Sequence, residues 1–152
     1  MLLIPTELRE SKIHGVGVFY TGKEVIPAGK LIWWFQVGFD QSWTEDQILA
    51  LPTQAQRHLY YNVWKSRRSG LYLLCADNLK YVNHSYSPNT HFIDGPSKQF
   101  EANCYSYTVI EPGQEITQNY REFDAVGESE LWEKLEKSLG IERAAFDKEV
   151  YG

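Results

Sequence analysis

Tyr81-Val82-Asn83-His84-Ser85-Tyr86-Ser87-Pro88-Asn89 is the stretch that decides how this chain reads. It sets an amide, an imidazole and a hydroxyl on three successive residues, directly after an apolar run. A plain core strand has no use for that order of polar groups. Downstream, Glu111-Pro112-Gly113-Gln114-Glu115-Ile116-Thr117-Gln118-Asn119-Tyr120 turns at Pro-Gly and then runs as a strand that ends on a tyrosine. Upstream, Gly15-Val16-Gly17-Val18-Phe19 brackets a tight backbone segment between two glycines.

Around these segments the chain is ordinary in size. Its 152 residues suit one domain with a core of its own, and 43% hydrophobic with 14% aromatic residues speaks against disorder. Fifteen basic and 20 acidic residues give a net charge of -5. That leaves no basic excess to neutralise phosphates, so a nucleic-acid binder is not expected, and a basic peptide or protein is the favoured partner. Cys75 and Cys104 form no Cys-x-x-Cys pair, and His14, His58, His84 and His91 stand at no metal-ligand spacing, so no metal site is expected. The cysteines read as small buried residues in a reducing compartment. Met1-Leu2-Leu3-Ile4-Pro5 is too short for a signal-peptide apolar region, and no run approaches a membrane span. The expected location is cytoplasmic, with a nuclear one open for a eukaryotic source.

Period and punctuation predict a mainly β protein with a small helical insert at about 44–65 and a C-terminal helix. Strands are expected at Leu2–Ile4, Val18–Tyr20, Leu31–Phe35, Leu71–Cys75, Thr90–Ile93 and Phe100–Ile110, with a hairpin-like loop at Gly95-Pro96-Ser97. Thr44 is expected to cap a short helix ended by Pro52. Thr53 is expected to cap a second reaching Trp64, on the spacing of Leu59, Tyr60, Val63 and Trp64. Leu131, Leu135 and Leu139 form one stripe from Ser129 to Leu139, with Glu130/Lys134 and Glu133/Lys137 as i,i+4 pairs and Gly140 as the stop. Trp33, Trp34, Phe35 and Phe39 are expected in the core rather than in an exposed patch.

No phosphate-binding glycine loop and no nucleophile elbow is present. His84 alone, or Tyr120 alone, reads as a buried polar residue with a satisfied hydrogen bond. Taken together, the three segments resemble the motifs of the SET domain family, over about Leu8 to Phe123. That family transfers methyl groups from S-adenosylmethionine to protein lysine, releasing S-adenosylhomocysteine. The resemblance implies a fold of several small sheets, β-clip-like, in which the last two motifs cross as a pseudoknot. It implies a catalytic domain at 1–123 and a helical extension at 124–152 packed on it. It also implies that Gly15, Val16, Gly17, Tyr81, Asn83, His84 and Tyr120 contact the cofactor, and that Tyr120 is the catalytic residue. Phe92, Tyr107, Gln118 and Phe123 are implied as the channel for the substrate lysine, whose neutral amine an aromatic environment favours. The 7 Phe, 5 Trp and 10 Tyr supply ample material for such walls.

Departures from the family pattern are specific. Tyr86 replaces a common cysteine, Lys80 a common arginine, Gln114 a glutamate, and Gln118 the aromatic residue often found two before the catalytic tyrosine. The last bears on how many methyl groups are added. No cysteine follows Tyr120, so no zinc-binding post-SET module is expected, and Glu122 to Tyr151, with Phe123 and Trp132, is expected to form a helical lid on the lysine channel. Two other readings stand beside a protein-lysine N-methyltransferase: a catalytically silent SET-like interaction module, and methylation of a small molecule or another side chain.

Overall fold

Three small sheets and four helices follow from these residues in a computed structural model that describes residues 1–94, 101–143 and 149. The first sheet has the order β1-β2-β10-β7. Its β1 (Thr6–Glu10) pairs antiparallel with β2 (Val16–Tyr20), Thr6 facing Tyr20 and Glu10 facing Val16. The sequence Thr-Glu-Leu-Arg-Glu shows no apolar alternation because β1 is a solvated edge, and its charges discourage pairing with another chain. β2 turns Val18 and Tyr20 inward. β10 (Glu115–Gln118), last of the strands in sequence, lies between β2 and the short parallel strand β7 (Asn83–His84). That insertion brings the two polar motifs side by side, with Thr117 opposite Asn83 and Gln118 opposite His84.

In the second sheet β9 (Asn103–Ser106) stands between β3 (Leu31–Trp33) and β8 (Thr90–Ile93). In the third, β6 (Tyr72–Leu74) stands between β4 (Gln41–Trp43) and β5 (Val63–Lys65). One core lies under the first two sheets, built around Val18, Ile32, Trp33, Cys104, Ile110 and Ile116. A second joins the third sheet to the helices α1 (Glu45–Leu49), α2 (Thr53–Asn62) and α4 (Glu130–Leu139).

Several expectations need correction. Leu2–Ile4 forms no strand: Leu2 makes an isolated bridge to Trp33, and Pro5 offers no donor to extend it. Thr44 caps α1 with a reciprocal bond to Gln47, but Thr53 caps nothing, because the cap position of α2 is Pro52. α2 stops at Asn62 rather than Trp64. Val63-Trp64-Lys65 pairs with Leu74-Leu73-Tyr72 instead, and ladder pairing outweighs the helical spacing of one more turn. The expected strand at Phe100–Ile110 is confined to Asn103–Ser106, and Phe100 and the Gly95-Pro96-Ser97 loop lie outside the described residues. Trp33 is fully buried and Phe35 packs on the core, but Trp34 and Phe39 are 36% and 43% exposed.

α4 follows its sequence closely. Ser129 Oγ accepts from Leu131 N, the leucine stripe is buried, and Gly140 ends the helix at φ 62°. Lys134 pairs with Glu45 at 2.7 Å and more distantly with Glu130, whereas Glu133 and Lys137 form no ion pair among the described residues.

Candidate functional site

Asn83 is the keystone of the site, through its side chain. Its Nδ2 donates to His14 O (3.0 Å), Val16 O (3.2 Å) and Glu115 Oε1 (2.9 Å). Ser11 Oγ donates to both oxygens of Glu115 (2.8 and 3.0 Å), and Ser11 N closes the loop onto Gly15 O. The loop from Ser11 to Gly17 is thus held between β7 and β10. Gly15 has φ 47°, a conformation that a side chain would strain. Gly17 answers a different need: a Cβ there would stand 2.7 Å from Glu115 Cδ.

Asn89 does the same for β10. It donates through Nδ2 to Glu115 O (2.7 Å), accepts Thr117 N at Oδ1 (2.8 Å), and its own N–H reaches Thr117 Oγ1 (3.1 Å). His84 Nδ1 accepts the backbone N–H of Tyr120 at 3.2 Å, so the imidazole carries a lone pair at that nitrogen. Burial, and secondarily the nearby Arg121 guanidinium, push the His84 pKa below its ordinary value, with Glu149 opposing, and keep the ring neutral. Tyr120, first residue of α3 (Tyr120–Phe123), donates its hydroxyl to Val82 O at 2.5 Å.

These elements enclose a cavity of about 360 Å³ bordered by His14, Lys80, Asn83, Gln118, Tyr120 and Trp64. A second cavity, of about 230 Å³, shares Trp64 and Phe123 with it and adds Trp33, Phe92 and Glu101. The aromatic wall is continuous. Phe123 lies 4.4 Å from Phe92, 5.8 Å from Trp64 and 6.0 Å from Tyr120 between ring centroids.

The implied site residues therefore divide. Asn83, Gln118, Tyr120 and Phe123 border the first cavity. Phe92 and Phe123 border the second. His84 stands behind Tyr120, with ring centroids 5.3 Å apart. Gly15, Val16 and Gly17 act through the loop they form, and only His14 of that segment borders the cavity. Tyr81 lies beside the cavity under Lys80, 5.3 Å from the ammonium. Tyr107 does not join the channel. It follows β9 at a turn, is 59% exposed, packs on His91, and borders a separate open groove with Tyr86. Trp132, expected in the lid, stacks between Tyr60 and Tyr72 in the second core and borders the first cavity. Residues 144–148, 150 and 151 of the expected lid lie outside the described residues.

Gln118 is buried, and its Nε2 meets Cys104 Sγ at 3.6 Å. Burial pushes the Cys104 thiol up to about 12, so it behaves as an inert neutral group. Sequence reasoning missed Glu115, Asn89 and Glu101. For Glu115 the available signal was Gly17, a strand glycine with ordinary φ, which marks close approach by another group.

The SET domain profile matches residues 15–121 of this chain. The chain belongs to the SET domain family, whose members are typically S-adenosylmethionine-dependent protein-lysine methyltransferases. Among solved structures it is similar to a Plasmodium falciparum candidate histone methyltransferase (21% identity, TM-score 0.50, covering 74% of this chain and 90% of that one). It is also similar to a humanized mutant of the Chaetomium thermophilum Polycomb Repressive Complex 2 bound to the inhibitor GSK126 (18% identity, TM-score 0.57). That match covers 79% of this chain and 15% of the other. At these identities the likeness concerns the fold. No curated protein sequence matches the chain.

Proposed function

We propose that this chain is a protein-lysine N-methyltransferase that uses S-adenosylmethionine. The observation that carries the reading is a pair of cavities that share the rings of Trp64 and Phe123, with Tyr120 bordering the first and its ring 6.0 Å from that of Phe123. The first cavity fits the cofactor. Its volume of about 360 Å³ lies in the range of small-molecule sites, it joins apolar rings to a few polar groups, and His14, at the start of the glycine loop, borders it. When bound, the cofactor supplies a sulfonium-activated methyl group.

The protein's share is positioning and desolvation. Phe92, Phe123 and Trp64 wall a passage in which an ammonium is disfavoured, so an amine near Tyr120 is held neutral with its lone pair available. The Tyr120 hydroxyl spends its proton on Val82 O, which leaves its oxygen lone pairs to accept from the amine or from polarised methyl hydrogens. His84 fixes the backbone of Tyr120, and thus the direction of that oxygen. The net charge of -5 supports a basic protein substrate, and two buried free thiols support a reducing, cytoplasmic setting.

The test is calorimetric titration with S-adenosylmethionine and S-adenosylhomocysteine, followed by transfer of labelled methyl groups to proteins of a cell extract. Tyr120→Phe is expected to keep cofactor affinity and lose about 10²-fold or more in turnover. A folded protein that binds neither compound, with or without extract, would overturn the reading. Undiminished turnover by Tyr120→Phe would remove the role given to that hydroxyl.

A further inference from the structure

The second cavity holds a group that methyl transfer as described does not use. Glu101 is 5% exposed and borders this cavity beside the rings of Trp33, Trp64, Phe92 and Phe123. Ser66 Oγ donates to its Oε2 at 2.5 Å, and Ser69 Oγ donates to Oε1. No lysine, arginine or histidine among the described residues lies within ion-pair distance of it. Arg67 and Arg68 border the same cavity, but they pair with Glu128 and Asp94, each at 2.8 Å. Two hydroxyls satisfy part of a buried carboxylate and leave it without a counter-ion among the described residues, an arrangement that favours a visiting cation.

We propose that this cavity is the capture site for the substrate's cationic side chain, with Glu101 receiving the lysine ammonium before the amine advances past Phe123 and Trp64 to Tyr120. The proposal rests on the methyltransferase reading for its direction of travel. Within the lysine class that this reading sets, Glu101 adds a preference: a side chain ending in a primary ammonium is bound more tightly than a neutral side chain of the same length. The carboxylate stabilises the ammonium and so opposes methylation in place. Glu101 therefore governs capture, seen in KM, whereas the aromatic passage and Tyr120 govern the chemical step, seen in kcat.

Two probes test this on the full chain: Nα-acetyl-lysine methylamide and its norleucine counterpart, titrated against tryptophan fluorescence, to which Trp33 and Trp64 contribute at the site. The lysine compound is expected to bind about tenfold or more tighter than the neutral one. Glu101→Gln, which keeps the size of the side chain, should reduce that preference to about threefold or less, while Asp94→Asn retains it and both variants bind S-adenosylhomocysteine like the wild type. Equal binding of the two probes by the wild type would overturn the proposal even if Glu101→Gln failed to fold, and so would an undiminished preference in folded Glu101→Gln. A preference for the lysine probe without cofactor binding would remove the methyltransferase reading and leave the capture site. Cofactor binding and methyl transfer without that preference would remove the capture site alone.

Discussion

Gly17→Ala isolates the contact on which the loop from Ser11 to Gly17 depends. Gly17 sits in β2 opposite Arg9, outside the left-handed region, so alanine suits its backbone and would otherwise suit a strand slightly better. The obstacle is local. The new Cβ would lie 2.7 Å from Glu115 Cδ, closer still to Oε1, and 3.1 Å from Ser11 Cβ. Because the obstructing atoms end a flexible side chain, the carboxylate moves and the strand stays. In moving it gives up Ser11 Oγ, at 2.8 and 3.0 Å, and Asn83 Nδ2, at 2.9 Å. Charge-assisted bonds of this kind contribute about 1.5–3 kcal/mol each when buried, and partial exposure here brings the joint loss to about 2 kcal/mol. If the loop stays ordered, that loss lowers the melting temperature by about 4–8 °C. To the extent that the loop loosens, the loss moves to cofactor affinity, up to about 30-fold in Kd. The assay is a double-mutant cycle with Glu115→Ala, read by chemical denaturation. In the Glu115→Ala background the bonds are already absent, so Gly17→Ala should cost less than about 0.5 kcal/mol, a coupling of about 1.5 kcal/mol or more. Equal costs in the two backgrounds would refute the reasoning and point to the backbone or Ser11.

Two further outcomes are expected. His84 has a folded pKa below its unfolded value of about 6.5, so the unfolded chain binds more protons between the two; stability is complete above about pH 6.5 and declines as pH falls through the folded value. Scanning calorimetry from pH 7.5 to 5.5 should show a steeper fall in melting temperature for the wild type than for His84→Asn, whose side-chain oxygen can still accept from Tyr120 N; parallel curves would count against it. Ser129→Ala removes the cap of α4 and also strips the buried Tyr72 hydroxyl of its partner, so we expect a loss of about 2–3 kcal/mol in urea denaturation rather than the roughly 1 kcal/mol of a simple cap.

How far the sequence reveals the fold depends on where each element finds its stabilisation. α4 is legible because cap, leucine stripe and terminal glycine are all local to it. β5 is not: Leu59, Tyr60, Val63 and Trp64 continue a helical spacing, and only pairing with β6 converts the last two into strand. β1 is hidden for the opposite reason, since an edge strand exposed along most of its length carries no period at all. The site divides along the same line. The motif residues Asn83, Gln118 and Tyr120 border the first cavity, and what the sequence does not show is that the Asn83 amide also holds the glycine loop and Glu115. Glu101 had no visible signal, because the hydroxyls that hold it, Ser66 and Ser69, belong to the turn between β5 and β6.

This division explains where the chain keeps the family pattern and where it leaves it. Two of the matching residues, Asn89 and Asn83, make several bonds each. Asn89 uses its backbone N–H, its amide nitrogen and its amide oxygen on β10, and Asn83 bonds three acceptors at once. No other side chain reproduces either set of bonds, and one substitution would leave several buried groups unsatisfied. The departures sit where less depends on the side chain. Gln114 contributes one bond, to Glu111 N. Tyr86 is exposed, lying against His84 and beneath Arg121, and Lys80 rests on Tyr81. Gln118 is the exception, since it is buried at the cavity, and there the chain supplies Cys104 Sγ as a partner for the amide nitrogen. A polar residue at that wall is thus accommodated from the core side, so Gln118 is the departure that combines a place at the cavity with a partner in the core.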